Sequence, residues 1–239
     1  MQGDINILCT RLLPQSIIAK AGDSGIKIDV VPFIKTEAVT DKVTIEQIQE
    51  LTSKKITVVF TSVNAVEAVI PNLLSKPDWD IYCMGGITRE KVLSFFTENS
   101  IKKTARNAAN LAEKIIAANI QQQIIFFCSN HRLDNLPVLL RAYGTHFQEV
   151  VVYNTIETPH LVEDNYDAVI FFSPSAVHSF FAANTIATDV ILFAIGKTTA
   201  ATIETYVSNE VIASEWPGQE QLIDQVINYY SDIKHENKS

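Results

Sequence analysis

Val169 to Val177 reads VIFFSPSAV, and Val58 to Val66 reads VVFTSVNAV. Laid one on the other, Val, Phe, Ser, Ala and Val coincide at an offset of 111 residues. The same offset brings Gly85 onto Gly196, Thr88 onto Thr199, Leu111 onto Leu222 and Ile116 onto Ile227. An offset held without a gap over about sixty residues is a duplication signal. Each copy runs from an apolar, β-rich segment into Ser and then into a helix-like pattern. The chain therefore reads as two copies of one α/β unit, each placing a Ser, and later a Thr, where a strand hands over to a helix.

Working outward, the strongest strand signals are Ile5–Thr10, Lys27–Phe33, Ile56–Phe60, Asp80–Met84, Ile124–Cys128, Phe147–Tyr153, Ala168–Phe172 and Val190–Ile195. Shorter ones occur at Ile101 and Val211–Ala213. Amphipathic helical patterns alternate with them, and strands apolar throughout imply parallel sheets covered on both faces. Thr44, with Gln47 three residues on, predicts a capping box opening a helix over Ile45–Thr52. Pro71 should end or kink the helix that Ser62 caps. Two polar stretches, Thr36–Thr44 and Asn154–Asn165, read as linkers.

The bulk numbers fit two small domains: 239 residues, 47% apolar and 19% charged. A net charge of −8 argues against nucleic-acid and anionic-membrane partners. Any anionic ligand needs a local positive site. Cys9, Cys83 and Cys128 lie in apolar runs with no CxxC, as expected for reduced thiols in a cytoplasmic protein. MQGDINIL lacks the basic and apolar regions of a signal peptide, and no apolar run approaches the ~20 residues of a membrane span.

In open α/β sheets, ligands bind beyond the carboxyl ends of the strands, where helix N-termini offer unpaired N–H groups. Such ends are expected at Thr61-Ser62, Gly85 to Thr88, Ser129-Asn130, Ser173 to Ser175 and Gly196 to Thr199. Taken singly, these Ser and Thr residues read as caps. Taken together, five open helix starts from two facing domains would make an anion-binding cleft without many Lys or Arg.

Other chemistries fall away. Gly196-Lys197-Thr198 resembles the end of a P-loop, but the first Gly of that motif would stand at Ile191. There is no GxGxxG, no HExxH, no pairing of His with Cys, and no Gly-x-Ser-x-Gly elbow. No metal site is expected, and an enzyme built this way would work by positioning and hydrogen bonding.

The set ILCTR, VVFTSVNAV, VVVYNT, DAVIFFSPSAV and FAIGKTTAATI, in this order and spacing, resembles uroporphyrinogen-III synthases over nearly the whole chain. The resemblance implies two flavodoxin-like α/β domains with parallel five-stranded sheets, joined by a two-stranded linker. Residues 1–34 plus 160–239 would form the first domain and 38–154 the inserted second, with linkers at 33–40 and 153–160. It further implies a lyase that closes hydroxymethylbilane, inverting ring D through a spiro intermediate, in tetrapyrrole (haem) biosynthesis. No cofactor takes part, and a cytoplasmic monomer is expected. Tyr153 would donate a hydrogen bond to the departing hydroxyl. Ser62, Asn64, Thr88, Ser129, Ser173, Ser175, Lys197, Thr198 and Thr199 would bind the substrate's eight carboxylates. The segment Ser129-Asn130-His131-Arg132 and Gly218 after Pro217 depart from the family pattern. The competing class is a non-catalytic, two-lobed binding protein for a small molecule.

Overall fold

The computed structural model describes residues 5–163, 165–216 and 218–236, so Pro217 lies outside the described residues. In chain order the strands and helices begin β1 (Ile5–Cys9), α1 (Gln15–Asp23), β2 (Ile26–Val30), β3 (Ile34–Ala38), α2 (Lys42–Thr52), β4 (Thr57–Phe60) and α3 (Val63–Val69). They continue β5 (Asp80–Met84), α4 (Ile87–Leu93), β6 (Ile101–Ala105), α5 (Ala108–Ala117), β7 (Ile124–Ser129), α6 (Asn135–Ala142) and β8 (Gln148–Glu157). They close β9 (Ala168–Phe171), α7 (Pro174–Phe181), β10 (Ile191–Ala194), α8 (Lys197–Ile203), β11 (Val211–Ala213) and α9 (Gln219–Glu236).

The chain divides into two compact units. The first takes the chain up to Lys35 and again from Ile156; the second is Thr36–Thr155. The first holds a five-stranded sheet in the order β11-β10-β9-β1-β2. The second holds a six-stranded sheet in the order β3-β8-β7-β4-β5-β6. Pairings β1–β2, β1–β9, β9–β10 and β10–β11, and likewise β4–β5, β4–β7, β5–β6 and β7–β8, are parallel.

Counting five strands for the second sheet therefore misses one. The polar stretch after Phe33, expected as one strand of a two-stranded linker, contains β3, which lies at the edge of the sheet beside β8. Thr158 N–H donates to Phe33 O and Val39 N–H to Val152 O, both at 2.9 Å. Residue numbers rise on one strand as they fall on the other, so this ribbon is antiparallel. Exposed Lys35, Thr36 and Glu37 hide it from a hydrophobicity pattern, as is usual for an edge strand.

The 111-residue repeat is carried through to topology. Numbered from β4, the second sheet without β3 runs 3-2-1-4-5. Numbered from β9, its counterpart, and continuing into β1 and β2, the first sheet has the same order. The two units are circular permutations of one sheet.

Burial explains why these runs are strands. Every residue of β4, β7 and β9 is buried. Alternate residues serve opposite faces: Val58, Phe60, Ile125 and Phe127 pack in one cluster, and Val59, Phe126 and Cys128 in another. In the first unit, Ala168, Ile170 and Phe193 lie on one side, and Val169, Phe171, Leu192 and Ala194 on the other. Each large apolar side chain among them contributes about 1.5–3 kcal/mol by burial.

The local signals are met in part. Ser62 caps α3, and Pro71 converts its end into a 3₁₀ turn over Ile70–Asn72. The cap of α2, however, is Asp41, whose carboxylate accepts from Thr44 N–H at 3.0 Å. Thr44 is the third helical residue, so the helix begins earlier than its apolar stripe.

Candidate functional site

The second unit presents five of the expected residues on the C-terminal rim of its sheet, in the strand order β8-β7-β4-β5. These are Tyr153, Ser129, the Ser62–Asn64 turn and Thr88. Neighbouring strands lie about 4.8 Å apart, so successive members of this row are close. The first unit presents a matching row in the order β10-β9-β1: Lys197 to Thr199, then Ser173 and Ser175, then Arg11. Ser62, Asn64 and Thr88 have Ser173, Ser175 and Thr199 as their repeat counterparts.

The serines at the first helix of each row are caps. Ser62 Oγ accepts from Asn64 N–H and Ser173 Oγ from Ala176 N–H, each at 3.2 Å. Pro174 follows Ser173 at the first helical position, where its missing N–H costs nothing. A capping hydroxyl still has its own proton to donate. Asn64 and Ser175 sit at the second helical positions of α3 and α7, beside unpaired helix-start N–H groups.

Thr88 and Thr199 are expected from the sequence to start helices, and here the structure differs. The caps are Gly86 and Gly196, neither with a side chain to bond the helix start. Gly86 takes φ 63°, a left-handed conformation that disfavours any Cβ. Thr88 and Thr199 lie inside the first turn, only 5% and 3% exposed. Neither hydroxyl has a hydrogen-bond partner among the described residues, yet no unpaired side-chain oxygen there is sealed from solvent. What remains open of these nearly buried threonines thus includes the hydroxyl itself. A polar atom so placed is available to a ligand at little entropic cost.

Tyr153 does not end its strand, as its sequence context suggests, because β8 runs on to Glu157. Its place at the rim comes from a bulge. Cys128 pairs with Val151, but Ser129 pairs with Tyr153, leaving Val152 as the extra residue. Bulges re-aim side chains and recur beside active sites. Val152 and Tyr153, adjacent in sequence, both join the same core cluster. The tyrosine is 9% exposed, and its hydroxyl has no partner among the described residues. Ser129 is buried at the end of β7, its hydroxyl likewise without a partner among them.

The two rows differ in charge. In the second unit, Arg132 just past β7 is held by Glu149 and Asp134, and Arg89 by Glu98. In the first unit, Lys197 and Arg11 are exposed and have no ion pair among the described residues. The Arg11 guanidinium stands 5.9 Å from the centre of the Phe172 ring, a cation–π contact that orients it without neutralising it. Sequence reasoning does not name Arg11 as a candidate. Its signal is present: a cation two residues beyond a buried strand, on the side where strands open to ligands. Thr198 is exposed beside Lys197, its carbonyl accepting from Thr202 Oγ1 at 3.0 Å.

Among the described residues, no cluster of His, Cys, Asp or Glu could hold a metal ion, and no helix is long and apolar enough to cross a membrane. The chemistry on offer is hydrogen-bond donation from phenol, hydroxyl and helix-start N–H groups, with two cations that have no ion pair among the described residues.

A family model described as Uroporphyrinogen-III synthase HemD matches residues 15–224. No curated protein sequence matches the chain. Among solved structures, the uroporphyrinogen-III synthetase of Helicobacter pylori 26695 is similar at TM-score 0.61 and 16% identity, covering 94% of this chain and 99% of its own. A mutant uroporphyrinogen III synthase of the extremely thermophilic bacterium Thermus thermophilus is similar at TM-score 0.63 and 13% identity, covering 94% and 98%. At such identities the structural likeness speaks for the fold alone.

Proposed function

Because the chain belongs to the uroporphyrinogen-III synthase family, we propose that its rim residues divide the work of closing hydroxymethylbilane with inversion of ring D. The enzyme is a cyclising lyase of tetrapyrrole biosynthesis. The match over residues 15–224 carries this reading. The two rows of unpaired donors support it, because they suit a substrate rich in carboxylates.

The reaction begins at the hydroxymethyl group of ring A. Electron density from the pyrrole nitrogen expels the hydroxyl, which leaves as water once it has gained a proton. Tyr153 donates the hydrogen bond that eases this departure. Its open hydroxyl and bulge-set position support that role. The resulting azafulvene cation is attacked by the substituted carbon of ring D, giving a spiro-pyrrolenine. Fragmentation and recombination at the other α carbon invert the ring, and loss of a proton there restores the pyrrole. The sum is hydroxymethylbilane to uroporphyrinogen III plus water, with protons balanced.

The protein's remaining task is to hold an octa-anion in the folded shape that brings ring D to ring A. Lys197 and Arg11 supply charge. The open hydroxyls of Thr199, Thr88 and Ser129, with Thr198 beside them, donate to carboxylates. Ser62, Asn64, Ser173 and Ser175 add the N-termini of α3 and α7. Charge-assisted hydrogen bonds of this kind are about twice as strong as neutral ones.

We read the architecture as two flavodoxin-like units, residues 1–34 with 160–239 and residues 38–154, joined by the β3–β8 ribbon. The order β2-β1-β9-β10-β11 corresponds to the 2-1-3-4-5 of that fold. Unit borders at Lys35 and Ile156 support the assignment. The protein should act in the cytoplasm as a monomer.

The test is direct. The protein is incubated with freshly made hydroxymethylbilane, the product oxidised, and the isomers separated. Uncatalysed closure gives isomer I, so isomer III above background is the expected result. Isomer I alone would refute the assignment and favour a binding protein.

A further inference from the structure

β7 ends at Ser129, and the chain turns out of the sheet at Asn130 and His131. β8 runs on past Tyr153 to Glu157. The backbone groups of β8 that face β7 therefore outrun their partner strand and need another.

A parallel ladder dictates where those groups would have gone. With Ser129 opposite Tyr153, the next rungs are Asn130 N–H to Tyr153 O, Thr155 N–H to the carbonyl of residue 130, and the N–H of residue 132 to Thr155 O. The first is made, at 3.4 Å. The backbone cannot make the last, because Arg132 N–H has turned back to Ser129 O at 3.3 Å. The Asn130 side chain takes over both groups of Thr155. Its Oδ1 accepts from Thr155 N–H at 2.8 Å, and its Nδ2 donates to Thr155 O at 3.5 Å. A carboxamide carries a carbonyl and N–H groups in one plane, as a peptide does, so one side chain replaces two rungs.

What these bonds secure is a register. Cys128 pairs with Val151, so an unbroken ladder would set Ser129 opposite Val152. A slip of one residue turns every following side chain to the other face. Bonds from Asn130 to Tyr153 and Thr155, on either side of Asn154, fit only the shifted register, in which residue 130 stands opposite residue 154. On its other side β8 is tied to β3 by Val39 N–H donating to Val152 O at 2.9 Å, a bond that does not choose the pairing with β7.

We propose that Asn130 is a positioning residue for ring closure: its carboxamide locks β8 in the shifted register and so holds Tyr153 on the face where it meets the substrate. This rests on the reading of Tyr153 as donor to the departing hydroxyl. Leucine has the shape of asparagine without its polar atoms. Aspartate keeps the acceptor for Thr155 N–H and loses the donor.

Asn130→Leu should lower kcat roughly 3–20-fold, less than loss of the phenol itself, with KM nearly unchanged. Asn130→Asp should give a kcat between that value and the wild type's. Amide hydrogen exchange at Thr155 should quicken roughly 3–10-fold in Asn130→Leu, while the amides of β4 keep their protection. In a Tyr153→Phe background, Asn130→Leu should cost less than about twofold, because two changes acting through one hydroxyl do not add.

The assignment is overturned if Asn130→Leu keeps the wild-type kcat or the wild-type protection of Thr155, or if it costs as much beside Tyr153→Phe as it does alone. A rise in KM with kcat intact would make Asn130 a substrate contact and equally overturn it. Full turnover in Tyr153→Phe alone removes the role of the phenol and this one with it. Failure of the wild type to form isomer III is a separate result, which removes the synthase reading itself.

Discussion

Tyr153 stands opposite Ser129 in the β7–β8 ladder, one residue beyond the register that Cys128 and Val151 set. Both are buried, Ser129 at the end of β7 and Tyr153 within β8, and neither hydroxyl has a partner among the described residues. The bulge thus brings two residues whose hydroxyls have no partner among the described residues into register.

Tyr153→Phe removes one of them and keeps the ring. General-acid help is typically worth 10²–10⁴-fold, and here the substrate's own nitrogen drives the departure. The expected loss is therefore at the low end, roughly 10–10²-fold in kcat, with KM little changed. The residual product should still be isomer III, because inversion depends on how the substrate is folded. Full turnover in the variant would return the tyrosine to a packing role.

Thr199→Val separates binding from stability. Since Gly196 is the cap of α8, the threonine hydroxyl is not needed for the helix start, and valine fills the same space. The melting temperature should change by no more than a few degrees. A hydrogen bond to a charged group is worth about 1.5–3 kcal/mol, which predicts roughly a 10–100-fold fall in kcat/KM. Thr88→Val is the comparison, with a smaller loss expected because no unpaired cation of the described residues stands beside it. Equal loss of stability and activity in Thr199→Val would show that the hydroxyl serves the fold.

Arg11→Gln tests the cation that the motifs do not single out. Its effect should lie in KM, by about 5–20-fold, and should shrink as ionic strength rises, since exposed charges are screened within about 10 Å at 0.1 M salt. Arg132→Gln should act differently: its partners are Glu149 and Asp134, so stability falls while KM holds. A KM effect insensitive to salt would rule out direct charge pairing by Arg11.

The three thiols give a pH prediction. Burial pushes Cys9 up to about 12, and Cys83 and Cys128 to about 11. Their folded values lie above the ordinary value of 9, so the folded state holds its protons longer. Stability from this source is complete below about pH 9 and falls as pH rises from there toward 11–12. Thiolate is the reactive form, so the native protein should resist a disulfide reagent at pH 8 and react at all three cysteines in denaturant. A fast-reacting thiol in the native protein would contradict the burial.

Some of this is legible in the residues. The repeat of VVFTSVNAV in VIFFSPSAV announces two equivalent α/β units, because fully buried strands impose the same apolar run wherever they occur. Ser62, Ser173 and Pro174 reveal two helix starts, since capping is local chemistry acting over three or four residues. Those positions follow from the sequence alone. The edge strand β3 does not, because a strand with one solvated side and one partner carries no apolar pattern. Nor does the bulge at Val152, which exists only as a mismatch between two strands. Nor does the sequence tell which hydroxyls stay unbonded: Thr88 and Thr199 look like caps until Gly86 and Gly196 take that place. The cations divide the same way. Arg132 and Arg11 each follow a strand, but only packing brings Glu149 to the first and Phe172 to the second. Local patterns determined the elements and their order; which polar groups remain free for a ligand was decided by tertiary structure, because a partner distant in sequence must arrive before a group is satisfied.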